Sequence, residues 1–112
     1  MPNLPRPLTK RERSVLDAML TVLGDSSPLR QGVDELVVVY ECDCGCPTIH
    51  FTNDDPRTWP VAEAYTDFER GEEVILFASH DVLWRLEWTG RPDPAPSEFP
   101  DPADLTVWKP PS

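Results

Sequence analysis

The sequence predicts an α+β domain, in which an N-terminal helix packs on an antiparallel sheet of about five strands built from hairpins, followed by an extended Pro-rich C-terminal strap. One early segment has apolar residues at helical spacing, several later segments are typical of strands, and most of the 14 prolines lie near the two ends. The 112 residues are enough for a single domain. We expect one domain over 1–112, with the helix at 9–23, the sheet at 35–89 and the tail at 90–112.

The predicted helix has a clear start and a clear stop. Thr9 and Glu12 have the spacing of a capping box, in which a hydroxyl and a carboxylate three residues later satisfy free backbone N–H groups. Gly24 is a typical stop. The apolar residues in between follow at helical spacing: Val15, Leu16, Met19, Leu20, Val22 and Leu23. One more helical turn is expected within 26–32, with Pro28 at its first position.

A hairpin with cysteines at its tip follows the helix. Segments 36–42 and 48–52 are rich in β-branched and aromatic residues, which predicts two strands. The loop between them contains Asp-Cys-Gly, and this sequence suits a three-residue turn with Gly45 in the left-handed conformation. The chain is therefore expected to reverse direction at the cysteines.

The length of that turn decides the register of the hairpin. A three-residue turn places Cys42 opposite Cys46, and Val39 opposite Ile49. A two-residue turn would instead place Tyr40 opposite Ile49. We favour the three-residue turn because it puts the glycine of the loop where a left-handed residue is needed.

Three more strands complete the predicted sheet. Segment 61–66 alternates, 74–78 is a continuous apolar run typical of a central strand, and 82–88 alternates again. Trp84 and Trp88 lie four residues apart in the last of these, so we expect both to point the same way. The two rings either pack in the sheet core under the helix or form an exposed aromatic groove that binds a partner.

The Pro-rich tail is expected to lie along the body of the domain. A free linker would not need large apolar side chains. The tail nevertheless carries four of them: Phe99, Leu105, Val107 and Trp108.

Charge argues against two classes of partner. The chain has 20 acidic and 10 basic residues and a net charge of −10. Proteins that bind nucleic acid need a basic face, and so do proteins that dock on anionic membranes.

The sequence shows no membrane-spanning or secretion segment. No apolar run is long enough to span a bilayer, and the N-terminus lacks the apolar stretch of a signal peptide. We expect a cytoplasmic protein.

Three cysteines within five residues form the densest group of reactive side chains in the sequence. Cys42, Cys44 and Cys46 lie on the predicted hairpin tip, where a tight turn can bring several sulfurs to one soft metal ion such as zinc. His50, or alternatively His80, could supply a nitrogen as the fourth ligand. The ordinary alternative is that the cysteines are buried as small apolar residues.

A redox role is a second reading of the same cysteines. On the three-residue turn, Cys42 and Cys46 could form a cross-strand disulfide, leaving Cys44 as an exposed thiol. The acidic neighbours Glu41 and Asp43 would raise the pKa of these thiols, which argues against an activated nucleophile. The sequence contains no phosphate-binding loop, nucleophile elbow or metalloprotease motif, so the prediction leans away from an enzyme.

The octet from Cys42 to Ile49, Cys-Asp-Cys-Gly-Cys-Pro-Thr-Ile, resembles a signature of small acidic actinobacterial proteins, Cys-x-Cys-Gly-Cys-Pro-[Ser/Thr]-[Ile/Val]. The likeness extends to the preceding helix, to the segment 73–77, and to a strand and tail beyond it. The resemblance implies that the cysteine hairpin is a defining feature of such proteins. It brings no activity, substrate or cofactor.

Taken together, the sequence favours a non-catalytic binding or interaction module with a protein partner, without nucleic acid and without membrane. Trp84 and Trp88 are its predicted partner-binding residues. A homodimer is conceivable, because nothing in 48–52 or 61–66 blocks an unpaired sheet edge. The alternative function is a zinc-binding or thiol-redox protein that uses the cysteine hairpin.

Overall fold

The computed structural model describes residues 3–54 and 57–111. Within them the chain has one α-helix, α1 (Lys10–Leu20), and a series of short strands in two antiparallel sheets. The predicted α+β class is confirmed. The strands are β1 (Arg6–Pro7), β2 (Val37–Val38), β3 (Tyr40–Glu41), β4 (Ile49–His50), β5 (Trp59–Tyr65), β6 (Glu72–Ala78), β7 (Leu83–Gly90) and β8 (Thr106–Trp108). Three 3-10 turns lie at Pro28–Arg30, Val33–Glu35 and Pro102–Asp104.

Helix α1 begins as the sequence predicts and ends earlier. Thr9 is the cap, and the reciprocal bonds of the capping box with Glu12 are both present. The helix ends at Leu20 rather than at residue 23, because Thr21 caps its C-terminus. The N–H and hydroxyl of Thr21 both donate to the carbonyl of Ala18, at 3.3 and 2.6 Å, which tightens the last turn.

The larger sheet has six strands in the order β3-β4-β7-β6-β5-β8, and the smaller sheet pairs β1 with β2. Strand β6 lies in its interior, as the apolar run predicted. The count of about five strands is wrong for two reasons. The predicted strand 36–42 divides into β2 and β3, which pair with different strands, and β1 and β8 are short segments whose partners lie far away in sequence.

The two segments expected to offer a free edge are both interior. Strand β5 is paired with β6 on one side and β8 on the other. Strand β4 is paired with β3 and β7. The premise of a homodimer through these strands is therefore wrong. Within the part of the chain that the structure describes, the six-stranded sheet ends at β3 and β8.

The core lies between α1 and one face of the larger sheet, with α1 against β5 and β8. Val15, Leu16 and Met19 of the helix are fully buried there. Phe99 of the Pro-rich tail is also buried, with 1% of its surface exposed. Burial of this ring attaches the tail to the domain core. None of the helices in the described residues is long and apolar enough to cross a membrane.

The two tryptophans of β7 do not point the same way, so that expectation is wrong. Phe77 pairs with Arg85 and Ala78 pairs with Leu83, which leaves Trp84 as an extra residue in a bulge. The bulge shifts the alternation of the strand. Trp88 is therefore buried with the core, whereas Trp84 is half-buried with its ring 6.1 Å from that of Phe77.

Candidate metal centre

The cysteine loop joins β3 to β4 and is longer than the predicted two- or three-residue turn. Tyr40 lies opposite His50, and the N–H of Cys42 donates to the carbonyl of Thr48 at 3.2 Å. Both predicted registers are therefore wrong, including the one that placed Cys42 opposite Cys46. Pro47 has no N–H to give to a strand ladder, so the pairing stops at Thr48 and residues 43–47 form the loop.

Gly45 has the left-handed conformation that the sequence predicted, with φ of +90°. Its N–H donates to the carbonyl of Cys42 at 3.3 Å and closes the turn. This folding of the loop is what turns the neighbouring side chains toward one another. A residue with a Cβ is strained at such a φ, so glycine is the residue that fits here.

The loop brings all three sulfurs together. The Sγ atoms of Cys42, Cys44 and Cys46 lie within 4.8 Å of one another, and all three cysteines are free thiols. In a tetrahedral zinc site with Zn–S bonds of about 2.3 Å, the sulfurs lie about 3.8 Å apart. The three sulfurs are therefore close enough together for one ion to reach all of them after a shift of about 1 Å. The group is also accessible, since Cys44 is exposed and the other two are half-buried.

Hydrogen bonds among the thiols shift the pKa values of Cys42 and Cys44 in opposite directions. The sulfurs of Cys42 and Cys44 are 2.8 Å apart, and the N–H of Cys46 donates to the Cys44 sulfur at 3.4 Å. Hydrogen bonds from Cys42 and Cys46 lower the pKa of Cys44. The same bond to Cys44 raises the pKa of Cys42 to about 11. The predicted rise in thiol pKa is thus found at Cys42 but not at Cys44. Its main cause at Cys42 is the hydrogen bond with Cys44, and not the acidic neighbours.

His50 is not part of this group. Its ring lies 4.5 Å from that of Tyr40 and 5.0 Å from that of Trp84, between centroids. Burial, and then the charge of Arg85, lower the pKa of His50. The alternative ligand, His80, packs edge-on against Trp59 at 5.1 Å. Within the described residues, no His, Asp or Glu joins the three sulfurs.

An ionic network that was not predicted from the sequence lies beside the cysteines. Arg6 donates to both carboxylate oxygens of Glu12, at 2.8 and 2.9 Å, and to Glu41 at 2.9 Å. These three residues, Cys42 and Cys46 line the same cleft of about 250 Å³. Burial of Glu12 opposes its ionisation, but hydrogen bonds from Arg6 and Thr9 outweigh burial and lower its pKa. The capping box was the available signal, since it already placed Glu12 at the helix start.

The second predicted site, at Trp84 and Trp88, is divided by the bulge in β7. Trp88 is 8% exposed, and its indole N–H donates to the buried carboxylate of Glu72 at 2.9 Å. It belongs to the domain interior, as the core interpretation expected. Trp84 alone lies with the half-buried rings of the opposite sheet face, next to His50 and Phe77.

Comparison with protein-family models, curated proteins and solved structures gives no match for this chain. The resemblance to the actinobacterial signature stays a prediction. The arrangement of the side chains is therefore the basis for any functional conclusion.

Proposed function

We propose that this chain is a metal-binding protein in which Cys42, Cys44 and Cys46 hold one thiophilic divalent ion, zinc first of all. The observation that carries the proposal is the convergence of three sulfurs within 4.8 Å on one loop. Thiolates are the soft ligands that zinc accepts, and three of them on a single turn need little rearrangement to reach one ion. A cytoplasmic location, where thiols stay reduced, is part of the proposal.

The ionisation of the sulfurs favours a stepwise arrival of the ion. A metal ligand must be a thiolate, so binding releases protons. Cys44 is both the most exposed of the three and the one whose pKa is lowered, so it would contact the ion first. Cys42, whose pKa is raised to about 11, would give up its proton only as the ion approaches. Affinity should therefore rise with pH.

The fourth position of such a site would be left to water or to an external ligand. No His, Asp or Glu in the described residues reaches the three sulfurs. A zinc site with three protein ligands and one open position is typical of reactive rather than closed structural sites. To act as the fourth ligand, His50 would have to give up its ring contacts with Tyr40 and Trp84. We therefore propose three protein ligands only.

Titration of the reduced protein with Co²⁺ tests the proposal. Thiolate coordination of Co²⁺ gives intense sulfur-to-metal absorption, and native mass spectrometry gives the stoichiometry. We expect one ion per chain, and at least tenfold weaker binding for Cys44→Ser. Asp43→Asn is the matched control, because it alters the same loop and keeps all three thiols. The absence of thiolate bands, or equal binding by both variants, would contradict the proposal.

A non-catalytic interaction module remains the second candidate, with a partner still to be identified. The observation in its favour is a row of three rings on the sheet face opposite the helix, formed by Tyr40, His50 and Trp84. Tyr40 is 39% exposed, and the other two rings are half-buried. Self-association is its simplest form. Sedimentation of the wild type and of Trp84→Ala tests it: a concentration-dependent dimer lost in the variant supports it, and a monomer at every concentration contradicts a homodimer.

A further inference from the structure

We propose that Cys42 and Cys44 form a peroxide-sensitive thiol pair, in which Cys44 is oxidised first, Cys42 closes a disulfide with it, and Cys46 remains a thiol. This inference goes beyond metal binding and applies to the metal-free protein. It also differs from the cross-strand disulfide between Cys42 and Cys46 that the sequence suggested, because the register of the hairpin places Cys42 opposite Thr48.

The sulfurs of Cys42 and Cys44 are already close to bonding distance. The Sγ atoms of Cys42 and Cys44 are 2.8 Å apart. A disulfide bond is about 2.05 Å long, so closing the bond requires a further approach of only about 0.8 Å. The Cys46 sulfur also lies within 4.8 Å of both, but its thiol donates to the hydroxyl of Thr48 at 3.5 Å. The geometry thus selects one pair out of the three that the cysteines could form.

The three thiols differ in their exposure to solvent. Cys44 is the exposed member of the group, whereas Cys42 and Cys46 are half-buried. The backbone N–H of Cys46 donates to the Cys44 sulfur at 3.4 Å and holds it in place. An oxidant that arrives from solvent therefore meets Cys44 first. Cys42, directly behind it, is in position to act as the resolving thiol.

The chemistry balances with a hydroperoxide as the oxidant. The Cys44 sulfur attacks one peroxide oxygen, so that an S–O bond forms, the O–O bond breaks and the thiol proton leaves with the second oxygen as water or an alcohol. Cys44 is then a sulfenic acid. The Cys42 sulfur attacks the Cys44 sulfur, the S–S bond forms and the S–O bond breaks, with loss of water. Two thiols lose two electrons and one peroxide gains them.

One consequence rests on the proposed function. Closing the disulfide would remove two of the three thiolates and leave Cys46 as the only soft ligand. Protein zinc sites use three or four protein ligands, so one thiolate would hold the ion far more weakly. Peroxide would therefore release the metal, and a metal already bound by all three sulfurs would slow the oxidation.

Differential alkylation of the metal-free, reduced protein tests the pair. One equivalent of hydrogen peroxide is added to dilute protein, free thiols are blocked with a first reagent, and the disulfide is then reduced and labelled with a second. All three cysteines lie in the tryptic peptide 31–57, where fragmentation separates them. We expect a loss of two mass units, the first label on Cys46 and the second on Cys42 and Cys44. A first label on Cys42 or Cys44, or a disulfide between chains, would overturn the pair.

Serine variants separate the two steps, with circular dichroism as the check on folding. Cys46→Ser should still lose two mass units. Cys42→Ser should stop at the sulfenic acid, which dimedone traps on Cys44, and Cys44→Ser should react with peroxide at least tenfold more slowly. Loss of the disulfide in Cys46→Ser, or a dimedone adduct on Cys46 instead of Cys44, would refute the assignment.

The two proposals can fail separately. A protein that forms the Cys42–Cys44 disulfide but gives no thiolate bands with Co²⁺ would refute the metal site alone. A protein that binds Co²⁺ through its thiolates, but forms a different disulfide or none, would refute the redox pair alone.

Discussion

Trp88 and Glu72 form a buried hydrogen bond across the β6–β7 pair, with the indole N–H 2.9 Å from the carboxylate. Glu72 is only 4% exposed, and its second carboxylate oxygen accepts from Arg70 at 2.8 Å. Arg70 in turn forms an ion pair with Asp104 of the tail at 2.9 Å. A carboxylate this deeply buried is stable only because donors meet both of its oxygens, so this contact ties the sheet to the C-terminal segment.

Replacement of Trp88 by phenylalanine should lower the free energy of unfolding, because it removes that hydrogen bond. The ring stays apolar, but one carboxylate oxygen of Glu72 loses its donor, which costs about 1–3 kcal/mol for a buried group. We expect the free energy of unfolding in urea to fall by that amount. Trp84→Phe is the control, since its half-buried ring lies on the opposite face. An equal loss in both variants would mean that ring size, and not the hydrogen bond, matters.

Removal of Arg6 should change the response of stability to acid. Arg6 and Thr9 lower the pKa of Glu12 below its ordinary value of 4.5. A carboxyl with a lowered pKa in the folded state contributes stability above its unfolded pKa, and that contribution is lost as the pH falls through the folded pKa. The free energy of unfolding of the wild type should thus decrease below a pH of about 4.5. In Arg6→Gln, stability at neutral pH is lower and this decrease is smaller.

Arg13→Gln is the control for that measurement. Arg13 also bridges two carboxylates, those of Asp17 at 3.0 Å and Asp34 at 2.8 Å, but it is 39% exposed. Exposed ion pairs contribute little to stability. Urea unfolding between pH 3 and pH 7 should leave this variant close to the wild type, and a similar flattening of the curve in both variants would contradict the role of Arg6.

Truncation of Phe99 should show that the tail belongs to the core. The ring is 1% exposed, and a buried phenylalanine changed to alanine costs about 3–5 kcal/mol. Phe68, which is 86% exposed, gives a matched control in the same chain. Phe68→Ala should change the free energy of unfolding by less than about 0.5 kcal/mol. If Phe99→Ala leaves the molecule too unstable to measure, Phe99→Leu gives a smaller loss, and no loss in either variant would refute the attachment.

The parts of the fold that follow from neighbouring residues could be predicted from the sequence. The start of α1 depends on Thr9 and Glu12, three residues apart, and the left-handed turn depends on Gly45 itself. Strands β1 and β8 could not be predicted, because each is two or three residues long and is stabilised by a partner remote in sequence. Local propensity carries little information about such pairings.

The same distinction holds at the candidate site. The three cysteines converge because they are adjacent on one loop, so the sequence could indicate them. His50 lies outside the group of sulfurs because of the hairpin register, which Pro47 shifts. Trp84 faces away from the core because of a bulge in β7, which depends on the pairing with β6. Both require knowledge of which residues lie opposite one another across the sheet.

Gly45 offers a test of how far the loop conformation controls the metal site. An added Cβ at this position meets nothing within 4 Å, so the effect of Gly45→Ala comes from the φ of +90° alone. A left-handed alanine costs about 1–2 kcal/mol, which corresponds to roughly 5–30-fold weaker binding of Co²⁺ if the loop must keep this shape to bind. Gly24→Ala is the matched control, since it also meets nothing within 4 Å and has no positive φ. Equal Co²⁺ affinity of the two variants would show that the sulfurs can bind the ion from another loop conformation.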